Sequence, residues 1–381
     1  MRRRALLAAG VIAIASACSG GGSSTDATVR VTTSKRAPHK LRATSTTSTS
    51  TSTTTSTSTT TTTVAPAPPP TARRTPAPTA APPVAAPPTS PSALPPSTGG
   101  APVIDGCGVF PADNAWNRDV STLPVHPNSA NLIASINASR TTLHADFGGG
   151  GEYGIPFVTV ADSEPMQNVN WTAYGDESDP GPYPIPPTAP VEGGADADGD
   201  RHVIALQRGT CKLFELYRAF WQGDHWDADS GAVYDLRSNA LRPLGWTSAD
   251  AAGLPILAGL VRYDEVAAGS VNHALRFTVQ RTQRGYILPA THAASSSNDA
   301  NLPPMGLRLR LRADFDTSGY SGQARVILEG LKRYGMIVAD NGSSWYITGA
   351  ADPRWTDDDL DQLKRVPGSA FEVVDTGPIQ R

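Results

Sequence analysis

No apolar run in this 381-residue chain reaches the roughly 18 residues of a membrane-spanning helix. Several catalytic signatures are missing as well. The HExxH pair of a zinc protease does not occur, nor does the GxSxG turn of a serine nucleophile. Gly148 to Gly151 is a glycine run without the following GK[ST] of a phosphate loop, so it reads as a hinge or turn. No ExDxE-like strand triplet of the kind common in jelly-roll glucanases is present. No 40–50-residue repeat supports a propeller, and no alternation of strands and helices supports a parallel α/β fold.

Basic residues are scarce where a folded domain could form. The formal charge of −3 divides unevenly: residues 1–100 carry ten Lys/Arg and one acid, Asp26, whereas residues 101–381 carry 22 basic and 34 acidic residues. A domain at −12 lacks the clustered Lys/Arg that phosphate contacts need, which argues against nucleic acid as a partner.

The first hundred residues read as an address and a spacer. Met1-Arg2-Arg3-Arg4 is a basic start, and Ala5 to Ala17 is an apolar stretch too short to span but right for a signal peptide. Ala15-Ser16-Ala17-Cys18 resembles a bacterial lipobox, although Ala15 stands where leucine is usual. Residues 1–18 are therefore expected to be a lipoprotein signal with lipidation at Cys18, which would hold the protein to the outer face of the cytoplasmic membrane. Arg3-Arg4-Ala5-Leu6-Leu7 also loosely resembles a twin-arginine signal. Residues 19–100 are expected to be a disordered stalk: 44–63 are all Ser or Thr, and 64–100 contain 13 prolines. Such composition cannot bury enough apolar area to offset chain entropy. Its Pro-rich half favours extended polyproline II. With Cys18 lipidated, Cys107 and Cys211 remain, and in an exported domain they are expected to form one disulfide.

Residues 101–381 read as one β-rich domain, an antiparallel sandwich or jelly roll with two or three short helices, expected to be monomeric. Leu307 to Arg312 alternates strictly, which predicts leucines toward a core and arginines toward the other face. Residues 202–206 and 213–217 predict a hairpin, and His273 to Val279 alternates His, Leu, Phe and Val against Ala, Arg and Thr. Met336 to Ala339, Asp340-Asn341-Gly342 and Trp345 to Thr348 predict a second hairpin. Further strands are expected at 154–160 and 284–289. Helices are expected at Asn128 to Ile136, at Ser321 to Tyr334 with Gly335 ending it, and after a Thr356–Asp359 capping box.

Phe110-Pro111-Ala112-Asp113-Asn114-Ala115-Trp116-Asn117 opens the domain. Asp176 to Pro186 (DESDPGPYPIP) and Gly245 to Leu257 (GWTSADAAGLPIL) follow, and Arg333 to Gly342 (RYGMIVADNG) lies near its end. Together these motifs resemble a group of secreted or lipoprotein bacterial proteins, actinobacterial in type, over most of 107–375. The resemblance implies an extracytoplasmic single-domain protein. The group has no established activity, so no catalytic residue follows from it.

The chemistry must come from the residues. On the 202–217 hairpin an even turn puts His202, Ile204 and Leu206 on one face with Leu213, Glu215 and Tyr217. His273 shares a face with Leu275 and Phe277. A Glu on an apolar face tends to a raised pKa, which suits a general acid. Glu215 is thus expected as the acid/base, with His202 and His273 beside it and Asp264 or Glu265 as the second carboxylate of a glycoside-hydrolase-like site. Substrate contacts are expected from Tyr217, Asp179, Trp221, Trp226 and His292. All seven tryptophans lie in the domain and could stack on sugars. A lyase would use His292, Tyr217 and the arginines at 308, 310 and 312. Asp196-Ala197-Asp198-Gly199-Asp200 opens like a calcium loop, but Arg201 and Gln207 stand where an EF-hand needs Gly and Glu, so only a non-EF calcium site near Asp196, Asp198 and Asp200 is open. The expected function is binding or hydrolysis of an envelope or environmental polysaccharide. A non-catalytic adhesion or wall-organising module, and a metal-dependent hydrolase using His202, His273 and His292, are the alternatives.

Overall fold

The computed structural model describes residues 100–137 and 140–381. The expected signal segment, Cys18 and the Ser/Thr/Pro tract lie outside the described residues. Along the chain come β1 (Val103–Ile104), β2 (Cys107–Gly108), α1 (Ser129–Asn137), β3 (His144–Ala145), β4 (Val158–Val160), β5 (Asn168–Trp171), β6 (Val203–Gln207), β7 (Lys212–Tyr217), β8 (Phe220–Trp221), β9 (His225–Ala228) and β10 (Ser230–Asp235). Next are α2 (Ile256–Gly259), α3 (Tyr263–Ala267), β11 (Leu275–Val279), β12 (Arg308–Leu311), α4 (Gly322–Arg333), β13 (Met336–Asn341), β14 (Tyr346–Ile347), α5 (Asp357–Leu360) and β15 (Phe371–Val373). The fold is mainly β, with few and short helices.

The sheets are mixed rather than antiparallel. A four-stranded sheet runs β10-β7-β6-β4 and a six-stranded one β15-β12-β13-β11-β14-β3. The pairs β4–β6, β11–β13, β14–β3 and β5–β9 are parallel. Parallel neighbours need a crossover of a dozen or more residues, and the long loop-rich segments 161–202 and 280–335 supply it for β4–β6 and β11–β13. The hairpin expected over 336–348 does not form: β13 and β14 lie on opposite sides of β11. Asn341-Gly342 instead leads the chain across the end of β11, with Gly342 packed on the Thr278 side chain. The segment 284–289 forms only isolated bridges at Tyr286, to Met305 and Gln380.

The β6–β7 hairpin has the expected register, with Ile204 opposite Glu215 and Leu206 opposite Leu213. One face of this sheet (Ile204, Leu206, Leu213, Tyr234) joins the main core, which also takes Leu275, Phe277 and Val279 of β11. The other face (Val203, Ala205, Phe214, Leu216) packs into a second core with Tyr183, Ile185 and Trp226. Both faces are covered, so β6 is buried throughout.

Arg308 and Arg310 lie on the face opposite the core leucines, but that face is covered too. Both are buried, because residues 115–123 wrap over that face and offer backbone carbonyls. Arg308 donates to the Ala115 and Tyr334 carbonyls, and Arg310 to those of Val120 and Leu123. Burial pushes the Arg308 pKa down to about 9. Only Arg312 reaches solvent, paired with Asp314.

Helix α4 buries Ala324, Ile327, Leu328 and Leu331 and ends where Gly335 takes φ +64°. A side chain at Gly335 would meet the Leu309 carbonyl at 2.0 Å. The Thr356–Asp359 capping box is not made. Asp359 instead accepts from the Gln323 backbone N–H at 3.0 Å and so caps α4 from outside. Cys107 and Cys211 are joined, tying the start of the domain to the head of β7.

Candidate functional site

The site is a pair of adjacent pockets, the two lobes of a candidate cleft, whose linings share Asp200, Asp340 and Asn341. One lobe, about 330 Å³, is also lined by Asp146, Glu152, Glu192, His202, Arg276 and Tyr346. The other, about 400 Å³, is lined by Tyr174, Tyr217, Thr247, Ser248 and His292. Strand alternation explains two of these placements. Leu275, Phe277 and Val279 turn into the core, so Arg276 and Thr278 turn out into the cleft. Asp340 sits where β13 leaves its buried run, Met336 to Ala339, and is half-buried.

Electrostatically the first lobe is unbalanced: five carboxyl-bearing residues face one guanidinium and the His202 imidazole. That guanidinium is already committed. Arg276 Nε and Nη2 donate to the Asp250 carboxylate at 3.1 and 3.0 Å, and Nη1 donates to Thr348 Oγ1 at 2.7 Å. Asp250 and Arg276 are both buried. Desolvation, and then the nearby charge of Asp250, push the Asp340 carboxyl up to about 7. Asp146 is raised too, by desolvation and by Glu192. Glu192 goes the other way. Burial would raise it, but hydrogen bonds from and the charge of His202 bring it below the usual carboxylate range. Glu192 Oε2 lies 2.6 Å from His202 Nδ1, and His202 Nε2 lies 3.0 Å from the Ala249 carbonyl. Both ring nitrogens thus face acceptors, which favours the imidazolium. Burial lowers the His202 pKa, but Glu192 more than offsets it and the net shift is upward. The cleft therefore places a carboxyl that titrates near neutrality with one held ionised.

Of the residues expected from sequence, His202, Tyr217 and His292 line the cleft and Glu215 does not. Glu215 is fully buried under α2, where its two oxygens accept the Ile256 and Leu257 backbone N–H groups, each at 2.9 Å. It closes a buried turn, which is why an acid sits on an apolar face; burial pushes its pKa up to about 7 against those two bonds. His273 is buried between Glu265 and the Ala274 carbonyl. Glu265 also pairs with Arg262 and, although burial raises it, these partners bring it down to about 2. Asp264 is exposed and pairs with Arg354. Neither Asp264 nor Glu265 lines either lobe.

The other expected positions are structural staples. Asp179 accepts from the Val233 N–H at 2.9 Å and pairs with Arg242. Glu177 accepts from the Thr247 N–H at 2.8 Å. The DESDPG segment thereby fixes the Thr247–Ser248 wall of the second lobe. Trp226 is buried, donates to the Ile185 carbonyl and meets Trp221 edge-on, away from the cleft. The Asp196–Asp200 loop is organised around a guanidinium: Arg201 Nη1 donates to the Ala195 and Ala197 carbonyls at 2.8 and 2.7 Å. The three histidines of the metal reading do not converge, and among the described residues no group of three or more His, Cys, Asp or Glu is arranged to hold a metal ion.

Sequence reasoning missed Asp340, Glu192, Asp146 and the Arg276–Asp250 pair. Asp340 looked like a turn residue, and Arg276 and Thr278 lay on the face of β11 opposite the one that drew notice. Compared with protein-family models, curated proteins and solved structures, the chain matches none.

Two expectations follow from these charges. Glu215 and Asp340 each bind a proton more tightly folded, at about 7, than unfolded, at about 4.5 and 3.8. His202 is raised as well. All three contribute stability that is lost as pH rises through their folded values. Glu265, at about 2 folded, contributes stability that is lost as pH falls below 4.5. The urea midpoint should therefore rise from about pH 8 to about pH 5 and fall again below about pH 4. Glu215→Gln should flatten the alkaline limb; a midpoint indifferent to pH between 5 and 8 would contradict these environments. Second, Arg276→Met leaves Asp250 buried without its partner and should cost about 3–5 kcal/mol. Asp250→Leu combined with Arg276→Met should cost less than the single change, as measured by urea denaturation.

Proposed function

We propose that this protein is a glycoside hydrolase of the cell surface, with Asp340 as its general acid and Glu192 as the ionised partner carboxylate. The observation that carries this reading is the cleft itself, where one protonated and one ionised carboxyl are gathered in a polar cavity large enough for sugar rings. Pairs of carboxyls driven apart in pKa by their surroundings mark acid and base roles. In the proposed step Asp340 gives its proton to the glycosidic oxygen as the bond to the anomeric carbon breaks. Water attacks that carbon and passes its proton to Glu192, whose Oε2 is anchored by His202. Proton exchange with solvent then resets both carboxyls. Tyr217 and His292 contribute to the wall of the second lobe.

The scaffold in this reading is sandwich-like, supported by the core that residues of the four- and six-stranded sheets share. The domain would be carried outside the cell on a Ser/Thr/Pro stalk lipidated at Cys18, so that it reaches wall or environmental polysaccharide. Incubating the protein with a panel of soluble polysaccharides and following new reducing ends tests the reading. Release by the wild type and release slowed at least about 100-fold in Asp340→Asn are expected. Retained binding with no release by the wild type would favour a non-catalytic binding module instead.

A further inference from the structure

The acid does not sit at the blind end of a pocket. Asp340 belongs to the wall common to both lobes, so space for ligand extends to either side of it. A terminal-residue enzyme needs room on one side for only a single sugar, whereas two open lobes accept a chain on both sides of the bond. Each lobe also has its own exposed aromatic ring. Tyr153 lines the first lobe but not the second and is 60% exposed; Tyr174 lines the second but not the first and is 50% exposed. Large rings exposed at both lobes of a polar cleft are unusual in a protein that buries most of its aromatics, and their faces suit stacking on the apolar faces of sugar rings. The Tyr153 ring is carried on a segment with positive φ at Gly149, Gly150, Gly151 and Gly154, so the turn there depends on glycine.

Charge narrows the polymer. The first lobe sets five carboxyl-bearing residues against Arg276 and His202; Arg276 is spent on Asp250 and Thr348, and both ring nitrogens of His202 are taken by Glu192 and the Ala249 carbonyl. Among the described residues no free cation in that lobe could receive a uronate, sulfate or phosphodiester, and carboxylates would repel one. The second lobe offers hydroxyls and rings, from Tyr174, Tyr217, Thr247 and Ser248.

Resting on the hydrolase reading above, we infer that the cleft cuts internal bonds of a non-anionic polysaccharide, with Tyr153 and Tyr174 as sugar-stacking platforms on either side of the bond. One internal glycosidic C–O bond breaks, water supplies hydroxyl to the anomeric carbon and hydrogen to the leaving oxygen, and two shorter chains result.

The test uses the full-length protein with soluble neutral glucan, mannan, xylan and galactan, with polygalacturonate as the anionic polymer, and with end-labelled hexasaccharides of each neutral type. Expected are mid-chain fragments of a neutral hexamer, a rapid fall in polymer viscosity and no action on polygalacturonate. Tyr153→Ala and Tyr174→Ala should each raise KM for the hexamer about tenfold, as loss of a stacking contact worth roughly 1–1.5 kcal/mol would. Release of monosaccharide alone from one end would overturn the internal-cleavage inference while leaving the hydrolase reading intact. Efficient cleavage of polygalacturonate, or unchanged KM in both tyrosine variants, would overturn the substrate class and the platforms respectively. No cleavage of any polymer would sink the hydrolase reading itself.

Discussion

Replacing Asp340 by Asn is expected to slow glycan cleavage about 10²–10⁴-fold, the usual worth of a positioned general acid. The fold should survive. Asn copies the shape of a protonated carboxyl, and Asp340 is already held near protonation by desolvation and by Asp250. Above pH 7 the variant should be as stable as the wild type or more so, because it has no proton to lose there. Activity that falls together with the unfolding midpoint would point to a structural role. Activity that falls while the midpoint holds or rises identifies the acid. The alkaline limb of the pH–rate profile should also be set by this group, at about 7.

Breaking the Cys107–Cys211 bond is expected to be the largest change in stability. The two cysteines are 104 residues apart. Closing a loop of that length removes enough freedom from the unfolded chain to be worth about 4–5 kcal/mol in the chain-entropy model. Typical domains hold only about 5–15 kcal/mol in total. Cys107→Ser with Cys211→Ser should therefore move the urea midpoint far down, and reducing agent should do the same to the wild type. The bond ties β2 to the turn ahead of β7, so β7, which carries Tyr217, and its partner β6, which His202 precedes, should loosen first. A shift below about 1 kcal/mol would mean that the unfolded chain keeps its ends together without the bond.

Periodicity was a good guide to the elements and a poor guide to the site. α1 and α4 lie within about a residue of expectation, because their apolar positions recur at helical spacing and nothing in the tertiary structure opposes them. The β6–β7 register followed from hairpin parity. Pairing between distant strands did not follow, since nothing in Met336–Asn341 announces that β11 will lie between it and β14. The burial of Arg308 and Arg310 did not follow either, for a similar reason: the chain that covers their face lies about 190 residues away. The site failed in a more instructive way. Glu215 drew notice as an acid on an apolar face, and that peculiarity is real, but its cause is two backbone N–H groups of a buried turn. Asp340 and Glu192 look ordinary in sequence because each stands beside turn residues. Their environments are made by Asp250, Arg276 and His202, which come from three other segments. Only folding brings those charges together.

The most direct measurement is a crystal structure of Asp340→Asn soaked with a neutral hexasaccharide. A chain should lie through both lobes, with one glycosidic oxygen within hydrogen-bond distance of the residue 340 side chain, Glu192 facing the adjacent anomeric carbon, and sugar faces against Tyr153 and Tyr174. A sugar bound elsewhere on the domain with the cleft empty would contradict the assignment of this cleft as the catalytic site.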